Sequence, residues 1–159
     1  MITTEYDIAA YRFRGRVLLA FSLLLAMCLA IMPLPHVLHW LRPDWMLLVL
    51  LYWALADEPR VSVSGAWLMG LVVDLLLGTL LGLHALIYAV IIFIAQRNRS
   101  SVARLPMWQQ VLFVVVCVLL SLIIELVVYY SIGLSVVTPG YFVSLLMGSL
   151  LWPWLSWLL

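Results

Sequence analysis

One apolar run constrains the fold more than any other feature of this sequence. It extends from Val61 to Ala95, 35 residues that include a single charged side chain, Asp74. As one helix the run would be about 52 Å long, whereas the hydrocarbon core of a membrane is only about 30 Å thick. The run therefore has to turn, and we expect the turn within residues 78–84.

The composition of the chain excludes a soluble fold. Hydrophobic residues make up 67% of the 159 residues and charged residues only 9%, against roughly 25% charged in a soluble domain. The net charge of +1 gives no basic surplus for nucleic acid. Cys28 and Cys117 lie inside apolar runs, where we expect small buried hydrophobes. The sequence thus predicts an all-α polytopic membrane protein with no cofactor or metal.

We expect one transmembrane domain, 1–159, built as a bundle of six helices, with five as the alternative count. The segment at 44–57 is short, and a re-entrant segment is the alternative there. The expected spans are residues 17–34, 44–57, 61–79, 82–96, 107–132 and 141–159.

The basic residues predict the orientation, because short cytoplasmic loops carry an excess of Arg and Lys. With six spans, seven of the eight basic residues fall on one side of the membrane, and only Arg42 falls on the other. Both termini are then cytoplasmic. Arg97, Arg99 and Arg104 form an expected cytoplasmic basic loop, whose ordinary roles are to set topology and to contact anionic lipid. A cytoplasmic protein partner is the alternative.

Asp74 is the most informative polar residue. Gly70, Asp74, Gly78 and Gly82 are four residues apart, which predicts one helix face that lets another backbone approach closely. Helix packing and a proton, substrate or partner site are both open interpretations of this carboxyl. We expect it to be neutral, because its surroundings are apolar and Arg60 is about 21 Å away along the helix.

A second carboxyl, Glu125, shares a predicted helix face with Ser121. A protonated Glu125 hydrogen-bonded between helices is the favoured interpretation, and a donor shared with Asp74 is the alternative. Gly148 belongs to another predicted small-residue packing face.

Two further polar features are expected near the membrane surface. Asp44 is placed to cap the second helix, and Arg42 could pair with it, with a neighbouring carboxyl or with a lipid headgroup. His36, His39 and His84 form no metal motif and are expected to make polar contacts at the interface.

A series of short motifs goes beyond these physical arguments. Residues 42–45, Arg-Pro-Asp-Trp, lead into an apolar segment that ends at Trp53. Then follow the glycine- and Asp74-containing segment 69–82, Trp-Gln-Gln at 108–110, and Leu-Trp-Pro-Trp at 151–154. In this order and spacing they resemble the rod shape-determining MreD family of Gram-negative bacteria, over nearly the whole chain.

The resemblance implies a non-enzymatic inner-membrane component of the cell-elongation machinery. Its expected direct partner is MreC, and the wider complex would include MreB, RodA and a class B penicillin-binding protein. The six-helix plan is also similar to the substrate-binding subunits of energy-coupling-factor transporters. A transporter-like subunit that binds a small molecule or lipid near Asp74 and Glu125 is therefore the alternative. An intramembrane enzyme is the weakest hypothesis, since no nucleophile pair or metal motif has useful spacing.

Overall fold

The structure, a computed structural model, describes residues 5–32, 43–56, 61–133 and 152. Its regular structure is entirely helical within these ranges, as the sequence predicts. Trp152 is also helical and is buried. The expected span 141–159 otherwise lies outside the described residues, as do Gly148 and Arg42. The helices whose bounds lie within the described ranges are α1 Glu5–Ile31, α2 Trp45–Leu55, α3 Val63–Leu77, α4 Leu83–Val102 and α5 Met107–Ser131.

The helices differ greatly in length. Two stretches in the described residues are long and apolar enough to cross a membrane, Phe13–Ile31 and Met107–Ser131. By contrast, α2 has 11 residues and α3 has 15, which correspond to about 16 and 22 Å. The long run at 61–95 does turn as expected, because α3 ends at Leu77 and α4 begins at Leu83.

The core of the described bundle forms where α4 meets its neighbours. Helix α4 packs against α2, α3 and α5, and α1 packs mainly against α2. Helix α2 is the most enclosed element, with every residue from Met46 to Leu51 buried. A hydrogen bond of 2.9 Å from the Trp53 indole to the Ser22 hydroxyl joins α2 to α1.

A small residue allows α3 and α4 to come together closely. A Cβ atom added to Gly70 would lie 2.4 Å from the Ala85 Cα, a distance that backbone atoms cannot tolerate. Ala66 and Ala85 are fully buried. Small side chains of this kind let membrane helices pack backbone against backbone.

Two expectations need correction. The basic segment 97–104 is not simply a loop, because α4 continues to Val102 and carries Arg97 and Arg99 in its last turns. Polar residues are compatible with a helix outside the hydrocarbon, so the end of the apolar run is not the end of the helix. Cys28 is exposed rather than buried, while Cys117 is buried as expected.

Candidate functional site

The turn between α3 and α4 depends on two glycines in the left-handed region. Gly78 has φ +63° and ends α3, and Gly82 has φ +95° and precedes α4. A Cβ atom on either glycine would meet nothing within 4 Å. The sequence predicted that Gly78 and Gly82 share a helix face with Gly70 and Asp74. This prediction is wrong for both of them, because α3 ends at Leu77. Gly70 provides the close helix contact, whereas Gly78 and Gly82 provide backbone conformations that other residues adopt at a cost.

The Asp74 carboxylate is buried at this turn and accepts four hydrogen bonds. Its Oδ1 accepts from the Thr79 hydroxyl at 2.9 Å, the His84 amide at 3.1 Å and the His84 Nδ1 at 2.7 Å. Its Oδ2 accepts from the Gly82 amide at 2.8 Å. His84 Nδ1 donates to Oδ1 in the tautomer that carries the proton on that nitrogen.

These bonds make Asp74 a cap for the following helix. Gly82 is the N-cap residue of α4 and offers no side chain for that purpose. The carboxylate of Asp74 takes its place and satisfies two amides at the first turn, where helix amides have no partner within the helix. Negative charge is also favourable at this end of a helix. The end of α3 thus fastens the start of α4.

The expectation that Asp74 is neutral is wrong in its premise. That expectation considered only Arg and Lys, whereas the structure places the His84 ring 2.7 Å from the carboxylate.

A second carboxylate connects α2 to the same region. Asp44 occupies the N-cap of α2, where its Oδ1 accepts from the Leu47 amide at 3.0 Å. The hydroxyl of Tyr88, a buried residue of α4, donates to both Asp44 oxygens, at 2.9 and 3.0 Å. The Tyr88 ring also lies edge-on to His84, with centroids 5.8 Å apart. We call Asp44, Asp74, Thr79, His84 and Tyr88 the carboxylate cluster.

Glu125 lies half-buried on α5, beside this cluster. Tyr88 lies within electrostatic range of both Glu125 and Asp74, so the two carboxyls share one neighbourhood. Ser121 is buried and donates to the Val118 carbonyl of its own helix at 2.7 Å. On the predicted Ser121–Glu125 face, the Ser121 side chain is therefore buried. Its hydroxyl does not connect α5 to the carboxylate cluster, because it bonds within its own helix.

Sequence reasoning missed three members of the cluster, Thr79, His84 and Tyr88. Thr79 and His84 fall inside the turn that the sequence does predict, so a carboxyl close to that turn was an available signal. Tyr88 follows His84 by four residues and hence shares its face of α4. Its contact with Asp44 spans 44 residues, and nothing in the local sequence marks such a pair.

The predicted basic residues lie at the other end of α4. Arg97 and Arg104 are exposed, and Arg99 is half-buried. Arg104 donates from Nε to the Ser100 carbonyl at 2.9 Å, which satisfies one carbonyl near the helix end. The structure therefore separates the basic residues from the carboxylate cluster by the length of α4.

The chemistry of the cluster is that of a helix junction. In the described ranges, no group of three His, Cys, Asp or Glu side chains could hold a metal ion. The polar atoms instead bond within two sets, one around Asp74 and one around Asp44, and the edge-on contact of His84 with Tyr88 on α4 brings the two sets together. Fold and site together define a membrane protein, helical in its described ranges, in which a buried carboxylate, Asp74, and a half-buried one, Asp44, join helix ends.

Comparison with known proteins identifies the family. The family model described as rod shape-determining protein MreD matches residues 11–159. A curated relative, the rod shape-determining protein MreD of Haemophilus influenzae, is 35% identical over 130 residues, which are 82% of this chain and 80% of that protein. No solved structure matches. The chain belongs to the MreD family of rod shape-determining membrane proteins.

Proposed function

We propose that this protein is a non-enzymatic component of the bacterial inner membrane that binds MreC. In this role it supports rod shape and lateral peptidoglycan synthesis, within a wider complex of MreB, RodA and a class B penicillin-binding protein. The observation that carries the proposal is the family match over residues 11–159.

The geometry of the carboxylate cluster supports a scaffold role. Asp74 and Asp44 direct their oxygens to donors inside the bundle, so these groups serve helix packing. The surface that remains for a partner is largely apolar, with Phe21, Leu75 and Val127 all more than 60% exposed. Apolar helix surfaces suit a partner that contributes a membrane-spanning helix.

We further propose six spans with both termini in the cytoplasm. Reporter fusions placed after Ala56, Ala95 and Leu159 test this arrangement, because all three positions should then report a cytoplasmic location. A periplasmic signal after Leu159 would contradict the six-span topology.

Co-purification with MreC tests the proposed partner. The chain is expressed with tagged MreC and purified in detergent with native lipids, and the ratio of the two proteins is measured. The control is an unrelated single-span membrane protein with the same tag and expression level. We expect MreC to recover the chain at a fixed ratio, well above the control. A folded chain recovered equally by both baits would refute MreC binding.

The alternative function is a transporter-like subunit that holds a small molecule or lipid near Asp74 and Glu125. The shared electrostatic neighbourhood of these carboxyls around Tyr88 favours it, whereas the four donors already on Asp74 leave less capacity for a ligand. Native mass spectrometry separates the two functions. One small ligand retained at a stoichiometric ratio would favour the transporter-like subunit over the scaffold.

A further inference from the structure

The last turns of α4 extend past the start of the neighbouring helix. The amide of Gln96 donates to the Val61 carbonyl at 2.6 Å, which places Gln96 level with the residues just before α3. Helix α4 then continues for six more residues to Val102. At 1.5 Å per residue this extension rises about 9 Å beyond that level. We call residues 97–104 the basic projection.

Within the described stretch 61–124, one acidic residue, Asp74, accompanies the three arginines of the basic projection. Asp74 is near the opposite end of α3 and bonds to His84. None of the three arginines of the projection forms an ion pair with a described carboxylate. The projection therefore presents three positive charges, two of them on well-exposed side chains, Arg97 and Arg104.

The length of the projection matches one layer of the membrane. A bilayer is about 40–45 Å thick including headgroups and about 30 Å without them, which leaves about 5–8 Å of headgroups on each side. A rise of about 9 Å from Gln96 keeps the arginines in or next to this layer. Two polar residues, Ser62 and Ser64, are exposed near the level of Val61, as expected where the hydrocarbon ends.

An exposed aromatic residue adds independent support for a lipid contact. Trp108 follows Arg104 by four residues and is 66% exposed. Indole rings are enriched at the level of the headgroups, because one part of the ring is apolar and the N–H is polar. An exposed Trp108 at the start of α5, close to Arg104 in sequence, favours a lipid surface over an acidic protein further into the aqueous phase.

We propose that the basic projection binds the phosphate groups of anionic membrane lipids through Arg97, Arg99 and Arg104. The planar guanidinium group presents paired N–H donors that match two phosphate oxygens. Anionic lipids carry a net negative charge, whereas zwitterionic lipids do not. The arginines of the basic projection therefore bind anionic lipids in preference to zwitterionic ones. This site is separate from the proposed MreC contact and does not depend on it.

Native mass spectrometry of the full chain tests the site directly. The protein is released from micelles that contain equal amounts of phosphatidylglycerol and phosphatidylcholine, and the bound lipids are counted. We expect the ratio of bound phosphatidylglycerol to bound phosphatidylcholine to fall at least about tenfold in the triple variant Arg97→Gln, Arg99→Gln, Arg104→Gln. The reason is that each basic residue near a charged lipid surface contributes on the order of fivefold to binding. The matched control Ser100→Ala, Ser101→Ala changes the same turns without changing the charge and should keep the preference.

Three results would overturn the proposal. The first is a triple variant that keeps the wild-type thermal midpoint and the wild-type lipid preference. The second is inorganic phosphate at equal concentration displacing the bound lipid from the wild type, which would indicate a site for a free anion. The third is a triple variant that retains lipid selectivity but fails to support rod shape, which would indicate an acidic protein partner.

Discussion

Helices α2 and α5 are both almost entirely apolar, yet they have opposite positions in the structure. Helix α2 has 11 residues, eight of them buried. Helix α5 has 25 residues and buries only one narrow face, formed by Val114, Cys117, Val118 and Ser121. In lipid an exposed apolar side chain carries no hydrophobic penalty, so composition alone does not decide which helix is enclosed.

What distinguishes the two helices is the set of polar contacts at their ends. Helix α2 is held by Asp44, which receives the Tyr88 hydroxyl, and by Trp53, which donates to Ser22. In α5, Ser121 and Ser131 both donate to carbonyls of their own helix. We infer that the carboxylates of the cluster fix α2, α3 and α4 as one packed unit. Within the described helices, α5 has its main packing contact with α4.

The largest effect is expected where α3 and α4 touch backbone to backbone. Gly70→Ala places a methyl group 2.4 Å from the Ala85 Cα, and backbone atoms on both sides leave no room for adjustment. We expect a loss of about 4 kcal/mol or more, the range of severe core substitutions, and hence little folded protein. The yield of monodisperse protein and its thermal midpoint in detergent measure the effect.

Gly78→Ala is the matched control for this substitution. Its added Cβ meets nothing within 4 Å, so only the left-handed backbone resists it, at a cost of about 1–2 kcal/mol. Equal losses at Gly70 and Gly78 would show that the close approach of α3 and α4 is incorrect.

A pair of leucine truncations compares α2 with α5 directly. Leu50 of α2 is fully buried, whereas Leu112 of α5 is 56% exposed. Leu50→Ala should cost about 2–5 kcal/mol because it leaves a cavity, and Leu112→Ala should stay within about 0.5 kcal/mol. Thermal unfolding of both variants in the same detergent makes the comparison. A larger loss from Leu112→Ala would reverse the roles assigned to the two helices.

Asp74→Asn should have a smaller but clear effect. An amide has one acceptor oxygen, whereas the carboxylate uses two oxygens for four donors, so at least one buried donor loses its partner. We expect a cost of about 1–3 kcal/mol for that loss, and a larger cost for Asp74→Leu.

The control for Asp74→Asn is Ser121→Ala on α5, where the hydroxyl donates only to its own helix. Its thermal midpoint should change little. A stable Asp74→Asn variant would mean that the carboxylate is not required in its ionised form.

Tyr88→Phe should have the smallest effect of the series. It removes the hydroxyl that joins α4 to Asp44 but leaves the Leu47 amide on that carboxylate. The expected cost is about 1–2 kcal/mol, measured as a shift in thermal midpoint. Tyr130→Phe on α5, a residue 86% exposed, should be neutral. Equal shifts in thermal midpoint for the two variants would show that the hydrogen bond from Tyr88 to Asp44 does not stabilise the protein.

The sequence predicted the helices of the described ranges and the turn after α3, because long apolar runs and glycines are local signals. Asp44 before an apolar segment likewise predicted a cap, and the structure has one. The predicted four-residue face failed at Gly78 and Gly82, because spacing reports a shared face only while the helix continues. The donors to Asp74 could not be derived from spacing, since the turn folds them back onto the carboxylate.

The sequence also did not predict where α4 ends. The apolar run ends near Ala95, but the helix continues through Arg97 and Arg99 to Val102. Periodic hydrophobicity detects the part of a helix that lies in lipid, and a polar extension has no such period. The sequence also did not predict that α2 is buried while most of α5 is exposed, because both helices are apolar over most of their surface.

Amide hydrogen exchange at the start of α4 tests whether Asp74 fastens α3 to α4. The amides of Gly82 and His84 donate to Asp74, so in detergent-solubilised protein both should be protected from exchange although they lie at a helix end. Asp74→Leu, compared at a temperature where it remains folded, should expose these two amides and leave those in the middle of α5 unchanged. Rapid exchange of Gly82 and His84 in the wild type, or unchanged protection in Asp74→Leu, would contradict the capping role of Asp74.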